Sequence, residues 1–284
     1  MTPLPPHVLI LSVLTLLGAG CNTVREVSEW EREESFRSME DRKVGSETLR
    51  EFVLRRTALL VNVEDLTVLD QTDRSEAILG GSPRTDSDLI FGSAAAVDSR
   101  GYFVTAAHCI EDRTLSVVFW TEKGLSAVPA RLVYLGDPSS RFADFAVIHV
   151  PVRLENVFRW GRPPSPGATI VSAGISDRSG SDSMNGFATQ FILEPVAGPL
   201  MEVVEREVEG VRFQLLRHDS PLERGNSGGP VVDPKGRLLA VNSTGPAAFP
   251  VLGAREFRYS SAVRPDPEWL ADLIRRDVHR GSDS

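Results

Sequence analysis

A serine lies between glycines in Gly225-Asn226-Ser227-Gly228-Gly229-Pro230. Flanking glycines allow a tight backbone turn that presents the serine hydroxyl outward, and they let a substrate approach the main chain closely. The same turn can aim the N–H groups of Gly225 and Ser227 at one point, which is how a developing oxyanion is held during acyl transfer. A serine hydroxyl is a poor nucleophile at neutral pH. It needs an imidazole to take its proton and a carboxylate to fix the tautomer of that imidazole. Both types stand upstream: His108 in the small-residue run Thr105-Ala106-Ala107-His108-Cys109, and Asp144 just before the apolar run Phe145-Ala146-Val147-Ile148. Taken singly, each has a plain structural explanation: a hairpin turn with an incidental serine, a packed histidine, a loop carboxylate. Their occurrence together, in the order histidine, aspartate, serine, points to a nucleophilic triad. His149 and His218 compete for the base role, but no small-residue strand end precedes either, and both read as structural.

From about Leu59 to about Arg276 the chain resembles the trypsin-like (chymotrypsin-fold) serine peptidases, and Asn226 before the serine is similar to the bacterial HtrA-like branch. The resemblance implies Ser227 as nucleophile, His108 as general base and then acid, Asp144 as orienting carboxylate, and an oxyanion hole from Gly225 and Ser227. It implies an all-β fold of two six-stranded antiparallel barrels with a C-terminal helix, His108 and Asp144 on the first barrel and Ser227 on the second. It also implies a specificity pocket whose base lies six residues before the nucleophile, at Pro221, and a substrate-pairing strand Val241-Asn242-Ser243-Thr244-Gly245. Pro221, Asn242, Ser243 and Thr244 are therefore the expected substrate-binding residues. An uncharged Pro221 and a β-branched Thr244 at the mouth describe a neutral, shallow pocket suited to a small or medium apolar residue. Ile78-Leu79-Gly80-Gly81 resembles the N-terminus that digestive members expose on cleavage. Asn226 replaces the aspartate that would pair with that ammonium, so activity without such a cut is expected. The implied activity is that of a serine endopeptidase acting on polypeptides through an acyl-enzyme, with no cofactor and no metal. Two alternatives stand beside it: a catalytically silent envelope binding or scaffold protein on the same fold, and an esterase using the same acyl transfer.

Composition bounds the rest. The 284 residues, 41% hydrophobic and 25% charged, suit one large globular domain and exclude global disorder. A net charge of −8 without a Lys/Arg cluster argues against nucleic acid as a partner. The two cysteines cannot form a disulfide framework, so Cys109 is expected free and buried, and the five histidines show no ligand spacing. Residues 1–24 carry no Asp, Glu, Lys or Arg, and the run from Val8 to Leu17 is followed by Gly18-Ala19-Gly20-Cys21. That run is too short for a membrane span but has the length of an export-signal core. Small residues before Cys21 resemble a bacterial lipoprotein signal, which implies acylation of Cys21, a membrane anchor and placement in the cell envelope.

The expected organisation is a signal peptide at 1–20, a charged stalk or linker at 21–57, and the peptidase domain at 58–284. From Asn22 to Arg55, 16 of 34 residues are charged, a composition that suits a solvated helix or stalk. Beyond it, short β-branched runs bounded by Gly, Pro, Asp and Ser predict strands at 58–63, 89–97, 102–106, 115–119, 128–134 and 145–150. A second set follows at 168–173, 187–194, 200–208, 211–217, 230–232, 237–242 and 257–262. The proline-rich stretch near 160–167 joins the two sets, and Gly174 to Gly186 reads as a surface loop. Asp266 can cap a closing helix that opens with Pro267 and buries Trp269, Leu270, Leu273 and Ile274. Few residues follow that helix in this sequence, too few for the peptide-binding PDZ module usual in HtrA-like proteins.

Overall fold

The computed structural model describes residues 42–62, 90–110, 115–121, 124–180, 188–193, 195–222, 225–245 and 259–282. The expected signal peptide, Cys21 and Ile78-Leu79-Gly80-Gly81 lie outside these residues. Before the first large sheet comes a two-stranded hairpin, β1 (Lys43–Val44) and β2 (Glu47–Thr48), leading into helix α1 (Leu49–Leu54). Thr48 and Glu51 close a capping box on α1, each side chain taking the other's backbone N–H. The helix then buries Leu49 and Val53 in the main core. The segment expected as a stalk to residue 57 is thus folded onto the domain from Lys43 onward. Two apolar residues four apart, Leu49 and Val53, anchor it.

The first half is a curled antiparallel sheet. Its strands are β3 (Thr57–Asn62), β4 (Ile90–Asp98), β5 (Tyr102–Thr105), β6 (Leu115–Thr121), β7 (Gly124–Pro129), β8 (Arg131–Leu135) and β9 (Ala146–His149). They lie in the order β7-β6-β3-β4-β5-β9-β8. Seven strands stand where six were expected because the run 128–134 divides. β7 ends at Pro129, which has no N–H to continue a ladder, and β8 starts at Arg131 to pair with β9 instead.

The second half is a closed six-stranded barrel, as expected: β10 (Thr169–Ser172), β13 (Val196–Val208), β14 (Val211–His218), β17 (Ser260–Pro265), β16 (Leu238–Thr244) and β15 (Pro230–Val232), in that order around the barrel. Between β10 and β13, β11 (Ile175–Gly180) pairs in full register with β12 (Ala188–Leu193). The stretch read as a loop from Gly174 therefore begins as a hairpin strand, held by main-chain pairing that its polar composition does not announce. The connection near 160–167 is tied down by reciprocal bonds, Gly161 N–H to Leu238 O at 2.8 Å and Leu238 N–H to Arg159 O at 2.9 Å.

Helix α2 (Pro267–Ser282) closes the fold. Asp266 caps it, accepting the Glu268 N–H at 2.9 Å. Trp269 packs against Tyr134 of β8 and Phe213 of β14, so one helix touches both halves. At its far end Asp277 accepts the Tyr102 hydroxyl at 2.8 Å and both Arg131 nitrogens at 3.0 and 2.6 Å.

Candidate active site

β5 ends at Thr105 and leads through the small, fully buried Ala106 into a single 3-10 turn, Ala107–Cys109, which carries His108 out at the sheet end. β9 starts just after Asp144 and pairs with β5, Thr105 opposite Ala146. That register brings the imidazole and the carboxylate to the same end of the sheet. Asp144 Oδ2 lies 2.8 Å from His108 Nδ1, and Asp144 Oδ1 accepts the His108 main-chain N–H at 2.9 Å. A third donor comes from the other half of the molecule: the Ser243 hydroxyl reaches Asp144 Oδ2 at 2.5 Å. Asp144 is only 2% exposed, and these three bonds are what keep a buried carboxylate satisfied. With Asp144 as acceptor, the Nδ1 proton is fixed and Nε2 is left as the basic nitrogen. The Asp144 hydrogen bond, with Cys109 beside the ring, raises the His108 pKa against the opposing effect of burial, which favours the imidazolium that forms once Nε2 has taken a proton.

The Ser227 turn is fastened on several sides. Gly225 and Gly228 have φ of 93° and 79°, values that favour glycine. A side chain at Gly228 would strike the Thr105 hydroxyl and the Ser93 carbonyl oxygen. Gly228 N–H donates to Asn242 O at 2.7 Å, and Asn242 N–H donates to Gly229 O at 2.8 Å. Ser93 N–H holds Ser227 O at 2.7 Å. Among the described residues, neither the Gly225 nor the Ser227 N–H donates a hydrogen bond, and Ser227 Oγ–H points at Ser243 O at 3.4 Å. No hydrogen bond joins Ser227 to His108 among the described residues.

A family model for the trypsin-like peptidase domain matches residues 92–241, more than half of the chain and inclusive of His108, Asp144 and Ser227. The chain belongs to the trypsin-like peptidases. Similar solved structures include the HtrA-type protease AlgW with a decapeptide, at 18% identity and a TM-score of 0.51 over 80% of this chain. This chain spans 65% of that structure's length. The MamO protease domain from Magnetospirillum magneticum is 18% identical over 78% of this chain and 97% of that one, TM-score 0.48. The serine endoprotease from Yersinia pestis is 18% identical over 84% and 68%, TM-score 0.49. At such identities the likeness is one of fold.

Within this trypsin-like frame the remaining expected residues fall as follows. Pro221 is exposed, and Thr244 is exposed with its hydroxyl 2.5 Å from that of Ser261. Asn242 and Ser243 turn inward. The Asn242 carboxamide accepts from Ser172 Oγ and donates to Ala173 O, both at 2.9 Å, while Ser243 serves Asp144. Asn226 is buried, its Oδ1 without a partner among the described residues. Cys109 is free and buried, and a side chain at Gly92 would lie 2.6 Å from its sulfur. His149 stacks on Tyr102, and His218 is enclosed in the barrel, so both have structural places. Among the described residues no cluster of His, Cys, Asp and Glu is arranged to hold a metal ion. Sequence reasoning missed Ser93, whose hydroxyl donates to Gly225 O and accepts from Ile175 N–H, both at 2.8 Å. A buried serine directly after a glycine in an otherwise alanine-rich strand was the available signal.

Proposed function

We propose that this trypsin-like peptidase is an active serine endopeptidase that hydrolyses peptide bonds through an acyl-enzyme. The observation that carries the reading is the doubly tied His108–Asp144 pair, which leaves Nε2 as a base at the sheet end where the Ser227 turn docks. In the first step the Ser227 Oγ–H swings from Ser243 O to His108 Nε2, gives up its proton there, and Oγ attacks the scissile carbonyl carbon. The carbonyl oxygen takes the negative charge opposite the Gly225 and Ser227 N–H groups. Collapse expels the amine, which takes the proton from His108. Water, deprotonated by the same imidazole, then repeats the sequence on the acyl-enzyme and frees Ser227.

The pocket beside this site supports a small, uncharged residue before the scissile bond. The positions that the trypsin-like pattern assigns to that pocket, Pro221 and Thr244, carry no charge. The apolar run ahead of Cys21 supports export, with acylation of Cys21 as the membrane tether. One observation favours a catalytically silent protein instead: the Ser227 hydroxyl is turned to Ser243 O. Labelling with a serine-directed fluorophosphonate decides between the two. Wild type should label and Ser227→Ala should not; a wild type that stays unlabelled and cleaves no peptide overturns the proposal.

A further inference from the structure

We infer that Ser93 is a positioning residue that sets the oxyanion-binding turn, an inference that rests on the peptidase reading above. Ser93 lies on β4, in the first half, and is fully buried. It nonetheless holds the nucleophile turn of the second half at two points. Its hydroxyl donates to Gly225 O at 2.8 Å, and its main-chain N–H donates to Ser227 O at 2.7 Å. These two carbonyls bracket Asn226, so a single residue fixes both ends of the tripeptide Gly225–Asn226–Ser227. The N–H groups that would meet the oxyanion belong to the same tripeptide.

The turn needs such a tie. Gly225 has no Cβ and a φ of 93°, so its peptide planes rotate at little steric penalty, and an oxyanion donor works only when pre-aimed. Ser93 is itself held: its hydroxyl accepts the Ile175 N–H at 2.8 Å, and its carbonyl accepts the Thr105 hydroxyl at 2.7 Å. Thr105 ends the strand that presents His108. The Ser93 hydroxyl therefore joins the β11 entrance to the oxyanion turn, while its main chain joins that turn to the histidine strand. Removing the hydroxyl strands two main-chain groups and frees the Gly225 carbonyl, yet touches neither His108 nor Asp144.

That separation defines the test. Loss of one oxyanion donor lowers turnover about 10²- to 10³-fold, and a loosened donor should forfeit part of this. In Ser93→Ala, kcat should fall about 10- to 100-fold with KM within about threefold of wild type and the acid limb of the pH profile unmoved. Affinity for a peptide aldehyde, which must place a hemiacetal oxyanion in the hole, should fall by a similar factor. Ser93→Thr, which keeps the hydroxyl, should recover most of the loss. If Ser93→Ala does not fold, Thr105→Val loosens the same tie from behind and should lower kcat in the same pattern. An active wild type whose Ser93→Ala or Thr105→Val variant keeps full kcat and aldehyde affinity overturns the inference alone. Equal loss in kcat with a displaced acid limb also overturns it, because the damage would then have reached His108. A wild type inert to fluorophosphonate overturns the peptidase reading on which it rests.

Discussion

His218 offers a measurement of what burial alone does to an ionisable group in this fold. It ends β14 inside the barrel, opposite Leu200 on one side and Ser260 on the other, fully enclosed. Neither ring nitrogen has a hydrogen-bond partner among the described residues. Burial therefore pushes its pKa down from 6.5 to about 4, with no charge or hydrogen bond contributing. Below pH 6.5 the unfolded chain binds a proton at this position that the folded chain refuses until about pH 4. Stability from this group is complete above the unfolded value and is lost as the pH falls through that window. The gap corresponds to about 3 kcal/mol, a large share of a typical domain's stability. His218→Leu removes the titrating imidazole and places an apolar side chain on the face that already carries Leu216 two residues earlier. Urea unfolding of both proteins from pH 7.5 to pH 4.5 isolates the effect as a difference, since all other titrating groups are shared. The variant should be equal to or slightly more stable than wild type near neutrality, because two unpaired polar atoms are gone. Its advantage should grow by up to about 1.4 kcal/mol per pH unit on acidification. Parallel stability curves over this range would refute the reasoning. His108 works in the opposite sense, since its raised pKa adds stability below about 6.5 that is lost as the pH rises through the folded value.

Four further outcomes are expected. Asp144→Asn should lower turnover about 10⁴-fold by releasing the His108 tautomer, and the acid limb of kcat/KM should move to lower pH as the raising hydrogen bond is lost; a limb that stays in place contradicts the assignment. Tyr102→Phe removes one charge-assisted bond to Asp277 and should lower stability by about 1–2 kcal/mol in urea titration while leaving kcat unchanged. Cleavage of a random peptide library should favour alanine, valine or leucine before the scissile bond with a broad preference, and strong selection for arginine or lysine would contradict the neutral pocket. Mass spectrometry of the protein from whole cells should find a mature chain beginning at acylated Cys21, which recovery of a soluble form with another N-terminus would exclude.

The His108–Asp144 pair and the Ser227 turn were legible because each residue sits in a short motif whose composition reflects a local demand: glycines for the turn at Ser227, small residues for the strand end at His108, and an apolar strand behind Asp144. The strands of both halves were legible in the β-branched runs. Features that depend on distant pairing were not. Ser243 read as a substrate-strand residue, and nothing local shows that its hydroxyl folds back on Asp144, 99 positions away. β11 carries no alternation because its backbone partner, β12, supplies the order. A helix was one reading of the charged segment, but its docking through Leu49 and Val53 was hidden under the charges, although the spacing of Thr48 and Glu51 was a capping-box signal in plain view.

The proposed chemistry straddles two halves, so its geometry is only as fixed as their docking. Each half has an apolar interior of its own, around Phe103 and Ile148 in the sheet and around Leu216 and Ala262 in the barrel. The largest cluster belongs to neither. It joins Phe145 and Val147 to Phe213, Val241 and Val263, and both helices enter it through Val53 and Leu270. Directly beside that cluster the polar ties cross between the halves, Ser93 to Gly225 and Ser243 to Asp144. These hydrogen bonds are directional but contribute only about 1 kcal/mol each, whereas the apolar seam supplies the bulk of the attraction without direction. Stability and alignment of the site are thus separable, which is why Ser93→Ala is expected to disturb turnover more than folding.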